Sequence, residues 1–209
     1  MTEHQNQLNE LGFYMLAGHA ETPKALVGEI KEAERLGLGA AFISERLNHK
    51  DASVLCGAAA AVSNTIGIGT AATNHNTRHL MVTATLAMTL HKMTNGRFSL
   101  GLGRGFDGLF KAMGLKTITS KQLHEATLLL RKMWHSEPIQ GYSGALGDYP
   151  MLQLLGRYDE NIPISLVAMG EKTQELAGEC MDALYLHTYF NDLAVEKAIA
   201  AVKRGADRA

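Results

Sequence analysis

Short apolar runs alternate with longer amphipathic stretches along most of the chain. The runs are four to eight residues long and predict buried strands at 11–18, 40–43, 66–73, 98–103, 163–168 and 183–187. The stretches between them repeat apolar residues every three or four positions, which predicts helices at 23–36, 52–62, 80–93, 120–134, 171–180 and 192–204. Apolar strands that alternate with helices are typical of a parallel sheet covered by helices.

This alternation is typical of two α/β architectures, the doubly wound sheet and the (β/α)8 barrel of the TIM type. The chain has 209 residues, whereas a complete barrel needs roughly 250. We therefore expect about six βα units, that is, an incomplete barrel if the sheet closes. Residues 135–161 are rich in Gly, Pro, Tyr and Asp, and predict an excursion from the alternating pattern.

Polar residues and glycines follow the predicted strands. They are His19, Glu45, Asn74, Arg104, Gly170 and His187. Both architectures bind ligands at the carboxyl ends of their strands, so we expect a polar site there. Glu45 and Arg46 could form an ion pair at the rim of the core or take part in catalysis, and the sequence leaves both roles open.

The composition narrows the class of partner. The formal net charge is −1, which gives no reason to expect a nucleic-acid partner. No apolar run approaches the roughly 20 residues of a membrane span, and the polar N-terminus lacks a signal-peptide core. Cys56 and Cys180 lie in apolar, helix-like contexts, which predicts buried thiols in a reducing cytoplasm. We expect a cytoplasmic protein that binds a small-molecule substrate.

Residues 103–108, GRGFDG, have the spacing G-x-G-x-x-G. In a dinucleotide-binding fold these glycines would shape the turn that holds a pyrophosphate. Here the motif follows the fourth strand instead of the first, and the segment after it ends at Gly114 before a crossover helix can form. The spacing therefore favours a glycine-lined turn that lets another group approach the backbone closely.

Two other sequence patterns bear on a metal site and on a serine hydrolase, and neither supports that chemistry. His75 and His79 have the spacing H-x-x-x-H, which could present two metal ligands on one helix face. The sequence offers neither the accompanying Glu nor a third ligand, so we expect no metal site. No G-x-S-x-G motif is present, which disfavours a serine hydrolase.

Four stretches resemble the bacterial luciferase-like monooxygenase superfamily, and most closely its branch that uses the deazaflavin coenzyme F420. They are ISERLNHKD, GIGTAATNHNTRH with the later NGRFSLGLGRG, and ENIPISLVAMGEKTQELAGECMDALYLH. The resemblance implies a single TIM-barrel domain over 1–209 that lacks the expected C-terminal strands. Such a chain is either a fragment or a shortened barrel that pairs with another subunit. Because an exposed sheet edge favours association, we expect a homo-oligomer, specifically a dimer.

The resemblance also implies a cofactor site. In the deazaflavin branch a bulge with a non-prolyl cis peptide in the third strand supports the cofactor ring, and the matching position is Ala71-Ala72. A turn before a later helix binds phosphate there, as helix N-termini do. The positions matched to cofactor binding are Arg46, Ala71, Ala72, Asn74, Gly103, Gly105, Ala168, Met169 and Gly170.

The activity implied by the resemblance is hydride transfer between F420 and a small organic substrate. Glu45, with His19 or His49 nearby, is the candidate for the accompanying proton transfer. Phe106 occupies the position of a catalytic Glu in one sugar-phosphate-oxidising subfamily, so that substrate class is not implied. Glu171 occupies a frequent Pro position and places an acid near the phosphate turn.

Two alternatives stay open. One is an FMN-dependent monooxygenase of the same superfamily. The other is a non-catalytic flavin-binding or interaction protein with a truncated barrel.

Overall fold

In the computed structural model, strands and helices alternate as the sequence pattern predicts. The structure describes residues 8–17 and 22–209. The strands of these residues are β1 (Leu8–Tyr14), β2 (Leu38–Ile43), β3 (Gly67–Thr70), β4 (Phe98–Gly103), β5 (Ile139–Gly144), β6 (Gly147–Leu152), β7 (Ile164–Val167) and β8 (Ala183–Tyr185). Their α-helices are α1 (Leu26–Arg35), α2 (Ala52–Val62), α3 (Leu80–Met93), α4 (Asp107–Ala112), α5 (Ser120–Trp134), α6 (Glu171–Cys180) and α7 (Asp192–Ala206). None of the helices in these ranges combines the length and the apolar character that a membrane span requires.

The strand order decides between the two predicted architectures. Six parallel strands form one sheet in the order β1-β2-β3-β4-β7-β8, and β5 pairs only with β6. A doubly wound sheet reverses its strand order at a switch point, whereas this order follows the chain without a reversal. Right-handed crossovers then place the helices on one side of the sheet, as in the wall of a barrel.

The rings of Phe42 and Tyr185 show that this sheet is curled. Phe42 lies on β2 and Tyr185 on β8, four strand positions apart, which in a flat sheet would separate them by ~19 Å. Their ring centroids lie 5.2 Å apart in an edge-to-face contact. The lack of a side chain at Gly69 makes room for the Phe42 ring on the inner face of the sheet, since a Cβ atom there would lie 3.2 Å from that ring. The sheet is a half-barrel of the TIM type with six βα units.

The main core lies between the sheet and its helices. Alternate residues of the strands, such as Leu100 and Leu102 on β4, are fully buried against them. Trp134 of α5 is also fully buried, and its indole N–H donates to the Ala84 carbonyl at 3.1 Å. Cys56 lies in this core as a free thiol, and burial raises its pKa to about 12, so it is unreactive near neutral pH.

Three segments differ from the prediction. β1 begins at Leu8 and ends at Tyr14, earlier than the predicted 11–18. The piece after β4 contains the short helix α4, where an irregular chain was expected. The excursion at 135–161 contains the β5–β6 hairpin. Isolated hairpins are marginally stable, and this one is held by Glu125 of α5, which accepts from the Ala145 N–H at 2.7 Å.

Candidate functional site

A cavity of about 790 Å³ opens at the carboxyl ends of β2, β3, β4 and β7. Ligand sites of parallel α/β barrels form at this end of the strands. Most of the predicted site residues line it, namely Glu45, Arg46, His49, Ala72, Asn74, Gly103, Gly105, Ala168, Met169 and Gly170. The fold therefore brings together positions from four separate stretches of the chain.

Of the predicted residues that the structure describes, Ala71 is the one that is not among those that line the cavity. Ala71 precedes the lining residue Ala72 and is joined to it by a cis peptide bond, at the position that the sequence predicts. The Ala71 N–H donates to the Ile43 carbonyl at 2.7 Å, and the Ala71 carbonyl accepts from the Tyr14 hydroxyl. His19 lies outside the described residues.

Residues 72–74 form one side of the cavity, which we call the 72–74 wall. The Glu45 backbone N–H donates to the Ala72 carbonyl at 3.0 Å, which attaches the wall to the end of β2. The Gly103 N–H donates to the Thr73 carbonyl at 2.9 Å, which attaches it to β4. Backbone hydrogen bonds thus fix the wall from both neighbouring strands.

Asn74 is the last residue of this wall and is 5% exposed. Its side-chain oxygen accepts the backbone N–H groups of Asn76 at 2.9 Å and Thr77 at 3.0 Å. This local turn is typical of Asn. Because the oxygen already accepts two hydrogen bonds, the NH2 group is the part of the side chain that remains for a ligand, and it can act as a donor.

The two glycines of the predicted turn keep the cavity open. A Cβ atom at Gly103 would lie 3.0 Å from the Cβ of Ala72. Gly105 has a φ of +69°, and a Cβ atom there would lie 2.6 Å from the Phe110 ring. A glycine is therefore required at position 105 by the positive φ and by the packing against Phe110. At Gly103, the volume that a side chain would fill is part of the cavity.

The carboxylate of Glu45 is held by donors from three other segments. Arg78 donates from Nη1 to Oε2 at 2.5 Å and from Nη2 to Oε1 at 2.9 Å. Thr73 Oγ1 donates to Oε2 at 2.5 Å, and the Ala52 N–H donates to Oε1 at 3.3 Å. The ion-pair partner is therefore Arg78 and not the neighbouring Arg46. Hydrogen bonding to Glu45 raises the pKa of Arg78.

This arrangement does not favour the predicted proton transfer by Glu45. Each carboxylate oxygen already accepts two hydrogen bonds, and the side chain is 5% exposed. A substrate proton would have to displace one of these donors. His49 lines the same cavity and is exposed to solvent, so solvent can reach this predicted proton-transfer residue.

The H-x-x-x-H pair does not act as a unit. His79 is the N-cap of α3, and its Nδ1 accepts the Met81 N–H at 3.2 Å. His75 is buried, and neither of its ring nitrogens has a hydrogen-bond partner. Burial lowers the pKa of His75 to about 4.

Comparison with known proteins assigns the chain to a family. The sequence profile of the luciferase-like monooxygenase family matches residues 4–209. The chain belongs to this family. A 5,10-methylenetetrahydromethanopterin reductase of Methanolobus tindarius is 30% identical to this luciferase-like chain over 182 residues, which are 83% of the chain and 54% of that protein. The chain thus spans about half the length of this relative.

Solved luciferase-like structures share the fold. A coenzyme F420-dependent tetrahydromethanopterin reductase from Methanopyrus kandleri matches with a TM-score of 0.82 and 22% identity over 95% of this chain and 60% of that one. An F420-dependent secondary alcohol dehydrogenase in complex with an F420-acetone adduct matches at 0.83 and 20% identity, over 94% and 63%. The oxygenating constituent of 3,6-diketocamphane monooxygenase from Pseudomonas putida, in complex with FMN, matches at 0.75 and 21% identity, over 95% and 62%.

Two polar residues of this luciferase-like site were not predicted as ligand-binding. Ser44 Oγ and Arg104 Nε are buried, have no hydrogen-bond partner, and belong to residues that line the cavity. Arg104 donates from Nη2 to Ser120 Oγ, and it forms no ion pair with a carboxylate of the described residues. Arg104 could have been included, because the sequence already shows a cationic residue directly after the fourth strand.

The turn at 168–170 leads into the N-terminus of α6, as this luciferase-like sequence predicts. Gly170 is the N-cap and supplies no side-chain cap, so backbone N–H groups of the first turn remain for an anion. Glu171 places an acid at this end, but its carboxylate is paired with Arg204 of α7. Arg204 also bonds Glu175 at 2.9 Å, so Glu171 and Glu175 share a cation.

Proposed function

We propose that this chain is an oxidoreductase that transfers a hydride between coenzyme F420 and a small organic substrate. The observation that supports it most is the cavity of about 790 Å³, because the residues matched to cofactor binding line it together. Cavities of this size accommodate cofactors and drug-sized ligands. The relative from Methanolobus tindarius, a 5,10-methylenetetrahydromethanopterin reductase, and the F420-dependent reductase from Methanopyrus kandleri support F420 as the cofactor.

The 72–74 wall and Gly103 suit a flat ring system. Ala72 and Gly103 offer little side-chain bulk, so a ring can approach the backbone closely. The Ser44 hydroxyl is buried in the cavity lining without a hydrogen-bond partner, and Asn74 offers its NH2 group as a further donor because its oxygen is already occupied. Buried polar atoms without partners are costly, and a ring with carbonyl and N–H groups would satisfy them.

Two other parts of the cavity lining suit the anionic part of the cofactor. Arg104 supplies a cation with an unpartnered buried Nε, and the 168–170 turn supplies the N-terminus of α6. A phosphate is stabilised by both, since the guanidinium donates to its oxygens and the helix end favours negative charge.

When bound, the deazaflavin supplies the redox chemistry by accepting or donating the hydride. The chain positions the ring, closes it off from water and handles the proton. His49 is the residue we assign to proton transfer with the substrate. Phe106 and Met169, 75% and 65% exposed where they line the cavity, offer an apolar contact to the carbon skeleton of a small substrate.

An FMN-dependent monooxygenase is the second candidate. The family profile that matches the chain is that of luciferase-like monooxygenases, and the polar groups of the cavity suit the phosphate of either cofactor.

The predicted dimer also remains a proposal. β1 is an edge strand with Leu11 and Tyr14 more than two-fifths exposed, and such an edge favours association.

The test of the proposed activity is an absorbance assay with the purified chain. Oxidised F420 is mixed with small secondary alcohols, and reduced F420 with the matching carbonyl compounds and with a methylene-pterin. We expect the visible band of the oxidised deazaflavin to disappear with the alcohols and to appear with the carbonyl compounds or the pterin. The rate of either change should be proportional to the enzyme concentration. An unchanged band with every substrate, together with enzyme-dependent formation of an oxygenated substrate from reduced FMN and O2, would reject F420 in favour of the monooxygenase.

A further inference from the structure

Arg78 bonds three residues beside the cavity, two in the 45–51 loop and one in the 72–74 wall, yet it does not line that cavity. Its Nη1 donates to Glu45 Oε2 and to Thr73 Oγ1 at 3.1 Å, while its Nη2 donates to Glu45 Oε1 and to Asp51 Oδ2 at 2.7 Å. It lines a smaller cavity of about 400 Å³ that also borders the 45–51 loop. Any effect on a ligand in the main cavity must therefore pass through another residue.

Glu45 is the residue that transmits such an effect. Its side chain accepts from the Thr73 hydroxyl at 2.5 Å, and its backbone N–H donates to the Ala72 carbonyl at 3.0 Å. Two consecutive residues of the 72–74 wall are thus attached to Glu45. If its carboxylate lost its position, the wall would lose its side-chain anchor at Thr73, next to the backbone contact at Ala72.

The planar guanidinium is the group that can fix this carboxylate. It reaches both oxygens of Glu45 in parallel and still bonds Asp51. A lysine has the same charge but only one nitrogen, so it cannot reproduce this fork. The pair is also shielded, since the Arg78 and Glu45 side chains are 15% and 5% exposed.

We propose that Arg78 is a positioning residue for the cofactor ring: it fixes the Glu45 carboxylate, and Glu45 fixes the 72–74 wall against which the ring lies. This inference rests on the proposed function. It assigns Glu45 to the support of the wall and not to proton transfer.

The first test compares two Arg→Lys substitutions. Arg35 forms a similar two-point pair with Glu32, with contacts of 2.7 and 2.5 Å, but these side chains are 64% and 54% exposed on α1. Arg78→Lys should raise the Kd for F420 about tenfold or more, because small displacements of a binding surface are costly. Arg35→Lys should leave it within about twofold, since exposed pairs contribute little. Equal Kd values for Arg78→Lys and the wild type would overturn the inference.

A second variant removes the risk that a buried charge without its partner unfolds the protein. The double variant Glu45→Gln/Arg78→Met deletes both charges of the pair. We expect it to stay folded by circular dichroism, to bind F420 about tenfold or more weakly, and to shift the absorbance band of the bound ring at saturation. A change in stability alone would not shift that band. An unchanged Kd and band in the folded double variant would also overturn the inference.

Glu45→Gln alone separates positioning from proton transfer. Positioning predicts a raised Kd for F420, a kcat at saturating cofactor that falls by less than about tenfold, and a pH profile that keeps its shape. A proton-transfer role predicts a loss of about 100-fold or more in kcat, an unchanged Kd and the loss of one limb of the pH profile, and this result would overturn the inference. If the wild-type chain binds no F420, the proposed function fails and this inference fails with it; an unaffected Arg78→Lys variant leaves the proposed function intact.

Discussion

Gly103 on β4 faces Ala72 of the 72–74 wall, and a Cβ atom at Gly103 would lie 3.0 Å from the Ala72 Cβ. The next nearest atom to that Cβ position is the carbonyl oxygen of Val167, at 3.8 Å. The glycine therefore leaves room on the cavity side. The two residues lie at the ends of neighbouring strands and form one flat part of the cavity lining, and the proposed function assigns the space in front of that surface to the cofactor ring.

Substitution of Gly103 should close this space. We expect Gly103→Val to weaken F420 binding by about 100-fold, because its methyl groups would occupy the volume of the ring. Binding is measured by fluorescence titration. Gly28→Ala is the matched control, since an added Cβ on that exposed face of α1 meets nothing within 4 Å. It should bind F420 as the wild type does and be about 0.4–1 kcal/mol more stable. Wild-type affinity in Gly103→Val would place the ring elsewhere.

Arg104 should act on the charged part of the cofactor and not on its ring. Arg104→Met is expected to weaken FMN binding about tenfold, because a phosphate loses a charge-assisted hydrogen bond. Riboflavin, which has the same ring without the phosphate, should bind the variant and the wild type equally. Both ligands are measured by quenching of flavin fluorescence. Equal losses for FMN and riboflavin would show that Arg104 supports the site in another way.

His75 should make the stability of the protein depend on pH. Burial lowers its pKa from 6.5 to about 4. Between these values the unfolded chain binds a proton that the folded chain does not, so the free energy of unfolding falls as the pH drops. Between pH 7 and pH 5 the expected loss is about 2 kcal/mol.

Urea unfolding of the wild type and of His75→Leu at several pH values checks this expectation. The other titratable groups contribute to both proteins, so the difference between the two curves reports His75. The wild type should lose about 2 kcal/mol of stability relative to the variant as the pH falls from 7 to 5, whichever of the two is more stable at pH 7. Curves that remain parallel over this range would mean that His75 does not titrate as its burial requires.

The fold could be predicted from the sequence as far as local pattern determines it. Apolar periodicity located α2, α3 and β4 at their observed bounds, because their burial repeats with the period of the element. It could not choose between a doubly wound sheet and a barrel. That choice depends on contacts such as that of Phe42 with Tyr185, which join residues far apart in sequence.

The candidate site divides in the same way. The resemblance to the luciferase-like family located the cis peptide at Ala71-Ala72 and the 168–170 turn, because both lie within short, recognisable segments. The pairing of Glu45 with Arg78 was not predicted, since no local pattern relates side chains from two separate polar connections. The unpartnered Ser44 hydroxyl depends on the packing around it, which composition and spacing do not specify.

The hairpin within 135–161 illustrates a further limit. Its strands are held by Glu125 of α5, which accepts from the Tyr142 hydroxyl and the Ala145 N–H. Tyr142 and Tyr149 then stack across the hairpin, with ring centroids 5.7 Å apart. The abundance of Gly, Pro and Asp correctly indicated turns, but the tertiary contact to α5 makes the segment a hairpin.

An equilibrium titration of the wild-type chain with F420, beside a parallel titration with FMN, tests most directly whether this cavity is a deazaflavin site. We predict saturable binding of one F420 per chain, at least about tenfold tighter than FMN, which corresponds to about 1.4 kcal/mol of binding free energy. The absence of saturable F420 binding, or a tighter complex with FMN, would contradict the proposal.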